Sequence, residues 1–299
     1  MKWNLFKSSR SRERAAGYLF LAPNFFGFLA FSLLPIAASF LLTFARWDLA
    51  SPPKFVGLKN YATLLKDELF WKYLWNSVYY TGVTVPLIII SGFFLAYLLN
   101  QKIRGVVFFR TIYFLPSVTL IVAVAVIWSW LYNADFGLFN YLLGKIGISG
   151  PNWLQSRTWA MPAIIIMGIW KGAGYSMLIF LAGLQSIPQE YYEAAEIDGA
   201  GWWQRIRHIT IPLISPTTFF ILVTATIGAI QGFDQFYVMT RGGPAGATTT
   251  LVYYIFQNAF EWFNMGYAAT AAAILFIIIL IITLIQWRLA KTWVYGFET

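Results

Sequence analysis

Six apolar runs, each long enough to cross a bilayer, constrain this chain more than any other feature. A hydrocarbon core of about 30 Å takes roughly 20 residues of helix. Runs of that length lie at approximately 17–42, 77–99, 113–132, 161–181, 215–236 and 267–287. An unpaired backbone group in lipid is too costly to persist, so each run is expected to be helical. The expected fold class is an all-α integral membrane protein with six transmembrane helices, organised as one transmembrane domain over 1–299. Composition agrees: 59% of the residues are hydrophobic and 11% charged, and the mean hydropathy of +0.63 is outside the range of soluble domains.

The net charge of +9 does not point to nucleic acid, because the basic residues flank the apolar runs. Lys2, Lys7, Arg10, Arg12 and Arg14 precede the first run, and Lys102, Arg104 and Arg110 sit between the second and third. Arg205 and Arg207 lie between the fourth and fifth, and Arg288 and Lys291 follow the last. All four segments fall on one side, which the positive-inside rule makes cytoplasmic, with both termini there. The first outer loop also carries lysines, but it is longer and includes Asp48, Asp67 and Glu68. The first run exceeds a signal-peptide core in length and is expected to be retained as a span. With no cysteine and one histidine, His208, thiolate and multi-histidine metal sites are excluded; His208 reads as a solvated loop residue.

Two loops show patterning. In 55–77, Leu64, Leu65, Leu69, Tyr73 and Leu74 recur at helical spacing among lysines, which predicts an amphipathic helix at the outer surface. Thr240–Thr250, TRGGPAGATTT, predicts a Gly-Pro turn. The richest loop is 186–214. Ser186 and Gln189 have capping-box spacing, and Pro188 suits a first turn, which predicts a helix from near Ile187. Tyr192, Ala195, Gly199, Trp202 and Ile206 step by three and four into an apolar stripe, with Glu190, Glu193, Glu196 and Gln204 largely elsewhere. Gly199 and Gly201 make two short helices with a bend as admissible as one. An interfacial helix resting on lipid and a docking element for a basic partner both fit this pattern.

Within this loop, Glu193-Ala194-Ala195, three residues, Gly199, nine residues and Ile209-x-Ile211-Pro212 resemble the EAA signature of permease subunits of binding-protein-dependent ABC importers. Ile211 departs mildly from the usual Ile-x-Leu-Pro ending. Residues 55–77, 114–143, 180–200 and 237–260 are similar to the carbohydrate-uptake branch, of the maltose, lactose and glycerol-phosphate permease type. The resemblance implies a type I importer permease fold whose loop forms a cytoplasmic coupling helix in a cleft of the ATPase. Glu193 would face a basic ATPase residue, Gly199 would make the turn, Ala194 and Ala195 would permit close approach, and Ile209 and Pro212 complete the motif.

It also implies the partners: a second, non-identical permease, an ATPase dimer, an extracytoplasmic solute-binding protein, a sugar or polyol, and the lipid of a bacterial or archaeal inner membrane. No nucleic acid is expected. The chain lacks a G-x-x-x-x-G-K-[ST] loop, so ATP and Mg are expected on the partner ATPase, with no cofactor in this chain. Lys171, mid-way along the fourth run, costs about 2.5–3.5 kcal/mol in lipid and is expected either to be held structurally or to line a path. Trp170, Tyr175, Phe233, Asp234 and Tyr237 are the other candidate path residues. An intramembrane enzyme would need a polar catalytic cluster that the runs lack. A solo ion-coupled transporter would need several intramembrane acids and broken helices, and only Asp234 approaches that.

Overall fold

The computed structural model describes residues 9–101 and 104–296, with the side chains of 9–12 excepted. Lys2, Lys7 and Lys102 lie outside the described residues, as do the side chains of Arg10 and Arg12. The fold is helical: α1 (Ser9–Phe28), α2 (Leu34–Leu42), α3 (Lys59–Leu65), α4 (Glu68–Leu99), α5 (Val106–Val118), α6 (Ile121–Leu131), α7 (Leu138–Lys145) and α8 (Ala160–Gln185). Then come α9 (Gln189–Ile197), α10 (Trp202–Arg205), α11 (Ile211–Leu213), α12 (Ser215–Ile230), α13 (Asp234–Met239), α14 (Leu251–Phe256) and α15 (Met265–Trp293). Among the described residues, Glu13–Leu42, α4, α8 and α15 are each long and apolar enough to cross a bilayer. Counting each of the bent pairs α5/α6 and Trp202–Leu213/α12 as one span, with α12 the apolar limb of the second, gives up to six.

The chain divides into two compact units, residues up to 66 with 258–273, and 67–257 with 274 onward. In the first, α1 passes into α2 through a π-helical turn, Leu29–Leu33, next to Pro35, whose missing N–H interrupts the regular ladder. A two-residue hairpin follows, β1 (Ala45–Arg46) antiparallel to β2 (Lys54–Phe55), so the structure adds strand to the all-helical expectation. Asp48 organises its turn by accepting from Ser51 Oγ at 2.7 Å and Ser51 N at 2.8 Å, bonds that hold its carboxyl below the usual range. The first turns of α15 close on the end of α2: a Cβ on Gly266 would stand 1.8 Å from Ala45 O, and Thr270 Oγ1 donates to Thr43 O.

The second unit is built on α4 against α8. Lipid tails are as apolar as leucine, so close packing rather than burial from water holds such helices together. Small residues at a spacing of four make the approach possible: a Cβ on Gly168 would meet Tyr80 Oη at 2.7 Å, and one on Gly172 would meet Ile88 Cδ1 at 2.6 Å. Ser176 continues the row, its Cβ 2.6 Å from where a Cβ on Gly92 would stand. Gly174, on another face of α8, admits α5: its Cβ would lie 1.9 Å from Tyr113 O.

Three expectations change. The surface helix at 55–77 is instead α3 plus the first turns of α4, which starts at Glu68 because Asp67 caps it by accepting from Leu69 N at 2.9 Å. The third run, expected as one helix, turns by 100° between α5 and α6, at Thr119 and Leu120 in extended conformation after Pro116. The fifth run is also shorter than expected. α12 has 16 residues, about 24 Å, and Asp234 opens the separate helix α13.

Candidate functional site

The charged loop is a folded element. α9 ends where Asp198 caps it and Gly199 takes φ +79°. Ala200 N donates to Ala195 O at 2.8 Å and Gly199 N to Glu196 O at 3.0 Å, the paired bonds of a Schellman motif. The next helix is started by Gln204, whose Oε1 accepts from Gly201 N at 2.7 Å. It runs through a π turn, Ile206–Thr210, into α11, and meets α12 at 62°. Two helices joined at Gly199–Gly201 are therefore the observed form.

Two local expectations give way. Ser186 does not cap α9; its Oγ donates to Gly183 O at 2.7 Å, inside the last turn of α8, and Pro188 is the N-cap. The apolar stripe stops at Ala195, because the left-handed Gly199 turns the chain. Tyr192 and Ala195 are half-buried and Ile206 buried, but Gly199 and Trp202 are exposed. The two limbs are tied by Tyr192 Oη and Thr210 Oγ1 at 3.0 Å, and Trp202 Nε1 donates to Tyr97 Oη at 2.6 Å. Glu196 and Arg205 pair at 3.4 Å on the surface, a contact worth little.

Glu193 and Ala194 are exposed on α9, Ile209 is half-buried in the π turn, and Pro212 is half-buried in α11. Ile197, at 87% exposure, and Trp203, at 60%, leave apolar surface uncovered on the same element. Glu193 makes no ion pair among the described residues, and it lines a cleft of about 600 Å³ with Tyr97, Gln101, Gln189 and Arg205. His208 is exposed, its Nδ1 3.0 Å from Gln204 O. Gly199→Val would place a β-branched side chain in the left-handed region at a cost of about 1–2 kcal/mol. Hydrogen exchange should show lost protection of the 195–200 amides, with Gly199→Asn losing less.

The second site lies where the third span breaks. The end of α5 leaves carbonyls without helical partners. Lys171 supplies them: its Nζ donates to Thr119 O at 2.7 Å, Pro116 O at 3.0 Å and Ser117 O at 3.4 Å. Ser117 Oγ returns a bond to Lys171 O, and Thr119 Oγ1 satisfies Leu115 O. A cation at a helix C-terminus is also favoured by the macrodipole. Lys171 makes no pair with Asp234, which is exposed in the first turn of α13.

Beside this cap is a cavity of about 290 Å³ lined by Lys171, Tyr175, Tyr80, Thr84, Gln235 and apolar residues of α8 and α12. Of the candidate path residues, Lys171 and Tyr175 meet in it. Trp170 instead packs on Trp128 at 5.4 Å. Phe233 stacks on Tyr237 at 5.4 Å in a group with Tyr253 and Phe256 and, like Asp234, does not line the cavity. Tyr80, Thr84 and Gln235 carried no local signal in the sequence: they are ordinary polar residues of α4 and α13, joined only by the packing, with Gln235 Nε2 3.4 Å from Tyr80 Oη.

An inner-membrane permease with broken spans and a capped loop is the class this fold defines. The chain belongs to the family of binding-protein-dependent transport system inner membrane components, whose profile matches residues 70–293. It is 40% identical over 296 residues to a probable ABC transporter permease, YesP, of Bacillus subtilis, covering 97% of this chain and 95% of that protein. It is 37% identical over 292 residues to the trehalose/maltose transport system permease protein MalF of Thermococcus litoralis, covering 96% and 98%. A crystal structure of a bacterial alginate ABC transporter in complex with an alginate pentasaccharide-bound periplasmic protein superposes with a TM-score of 0.83. That match is at 25% identity and covers 94% of this chain and 96% of that one. The fold is that of a type I importer permease, and the chain is a transport component rather than an enzyme.

Proposed function

We propose that this chain is one of two non-identical permeases of an ATP-driven saccharide importer, with one wall of the translocation path formed by the Lys171–Tyr175 cavity. An ATPase dimer would bind ATP and Mg in trans, and an extracytoplasmic binding protein would deliver the saccharide. The element 189–213 lies in the cytoplasm in this reading, with both termini, following the basic flanks of the spans. Closure of the ATPase dimer moves it as a lever, and because it runs straight into α12 the motion reaches the spans. Glu193 meets a basic ATPase surface, Ala194 and Ala195 allow close approach, and Gly199 makes the turn, while Ile209 and Pro212 join the element to α12.

The observation that carries this reading is the independently capped element Gln189–Leu213, with a carboxylate, Glu193, that has no ion pair among the described residues, and uncovered apolar side chains, in a chain of this family. The carbohydrate assignment is supported by the trehalose/maltose and alginate relatives. A solo ion-coupled transporter also uses broken helices, but among the described residues no carboxylate lines the cavity beside the break. The test is to purify the permease–ATPase complex with its binding protein and screen saccharides. One saccharide class should raise ATP hydrolysis several-fold over the unloaded binding protein, and no response to any saccharide by an active ATPase contradicts the reading.

A further inference from the structure

We infer that the Lys171 cavity selects acidic saccharides, those carrying a carboxylate of the uronate type, over their neutral counterparts. This rests on the cavity being part of the saccharide path. Among the described residues its lining contains one formal charge, the Lys171 ammonium, and no aspartate or glutamate. The acceptors of that ammonium are three backbone carbonyls at the end of α5. Carbonyl dipoles and a helix C-terminus supply the equivalent of about half a negative charge, so a net positive potential remains in a wall of low polarity, where charge acts strongly.

A neutral sugar leaves that potential uncompensated, whereas a carboxylate neutralises it. The bond to Ser117 O, at 3.4 Å the longest of the three, is the one that an arriving carboxylate oxygen can replace at least cost.

The remaining polar groups suit the rest of such a ligand. Thr84 lines the cavity beside Tyr80. Tyr80 and Gln235 add further hydroxyl and amide groups, and Tyr175, 54% exposed, offers a ring face. At about 290 Å³ the space is at the small end of ligand pockets, which fits a short saccharide rather than a folded polymer.

The test uses the complete permease–ATPase complex in lipid nanodiscs without its binding protein, so that any discrimination belongs to the membrane complex. Binding of a galacturonate disaccharide and of the matching neutral galactose disaccharide is measured by calorimetry. The acidic sugar should bind about tenfold more tightly, as expected for one partly buried charge pair. Lys171→Met should bring the two within about twofold, and Lys171→Arg, which keeps the charge and the carbonyl bonds, should retain the preference. A wild-type complex that binds both equally, or neither, overturns the inference, even where Lys171→Met does not assemble. If ATP hydrolysis still responds to a neutral saccharide on its binding protein, the importer reading survives that failure. If no saccharide of either kind stimulates hydrolysis, the importer reading itself falls.

Discussion

Glu193→Lys is expected to abolish saccharide-stimulated ATP hydrolysis and uptake while leaving membrane insertion intact. Glu193 is exposed on α9 and has no ion pair among the described residues, so its charge is available to a partner. Reversing a charge at a docking surface sets like charges against each other at a cost of several kcal/mol, which is two or more decades in a coupled rate. Glu196→Gln should do much less, because Arg205 already offsets that carboxylate at 3.4 Å. Uptake at the normal rate by Glu193→Lys would exclude α9 as the coupling contact.

Gly174→Val is expected to be the most damaging single change within the second unit. Its Cβ would lie 1.9 Å from Tyr113 O and 2.8 Å from Tyr113 C, both backbone atoms that move only with α5 itself. Overpacking costs about 1–3 kcal/mol where side chains can yield, and here they cannot, so the loss should reach the top of that range or pass it. It should also displace the α5 carbonyls from Lys171. Thermal unfolding of the purified complex should show a lowered midpoint for Gly174→Val. Gly82→Ala, with nothing within 4 Å of its added Cβ, should leave the midpoint unchanged or slightly raised. Equal midpoints for the two variants would contradict the close α5–α8 approach.

How much was legible in the sequence depended on how local each signal is. Span length and apolar composition are local, and they point to the long helices α4, α8 and α15. The turn at Gly199 is local too, because only a residue without a side chain takes φ +79° there at little cost. The break in the third span also had a local mark, Pro116 followed by Ser117 and Thr119. Hydropathy averaged over the run hides it, and the break is stable only because Lys171, 55 residues after Pro116, supplies the missing donors. The Ser186 capping box failed for the opposite reason: its spacing was right, but α8 runs on to Gln185 and claims the hydroxyl. Tyr80, Thr84 and Gln235 come from helices distant in sequence, so no spacing could group them. Phe233 and Tyr237 pack with Tyr253 and Phe256 and do not line the cavity; with aromatics at 19% of the chain, their type alone did not separate ring packing from a path lining.

The central claim is that the element 189–213 meets an ATPase subunit in trans. The chain contains no cysteine, so a single Ala194→Cys on the exposed face of α9 gives one unambiguous thiol. Paired with single cysteines placed around the docking cleft of the ATPase subunit, it should form a disulfide of permease-plus-ATPase mass on mild oxidation of the assembled complex, with yield changing on ATP binding. Failure to link to any ATPase position, together with labelling of the same thiol by a membrane-impermeant reagent added from outside the cell, would contradict it.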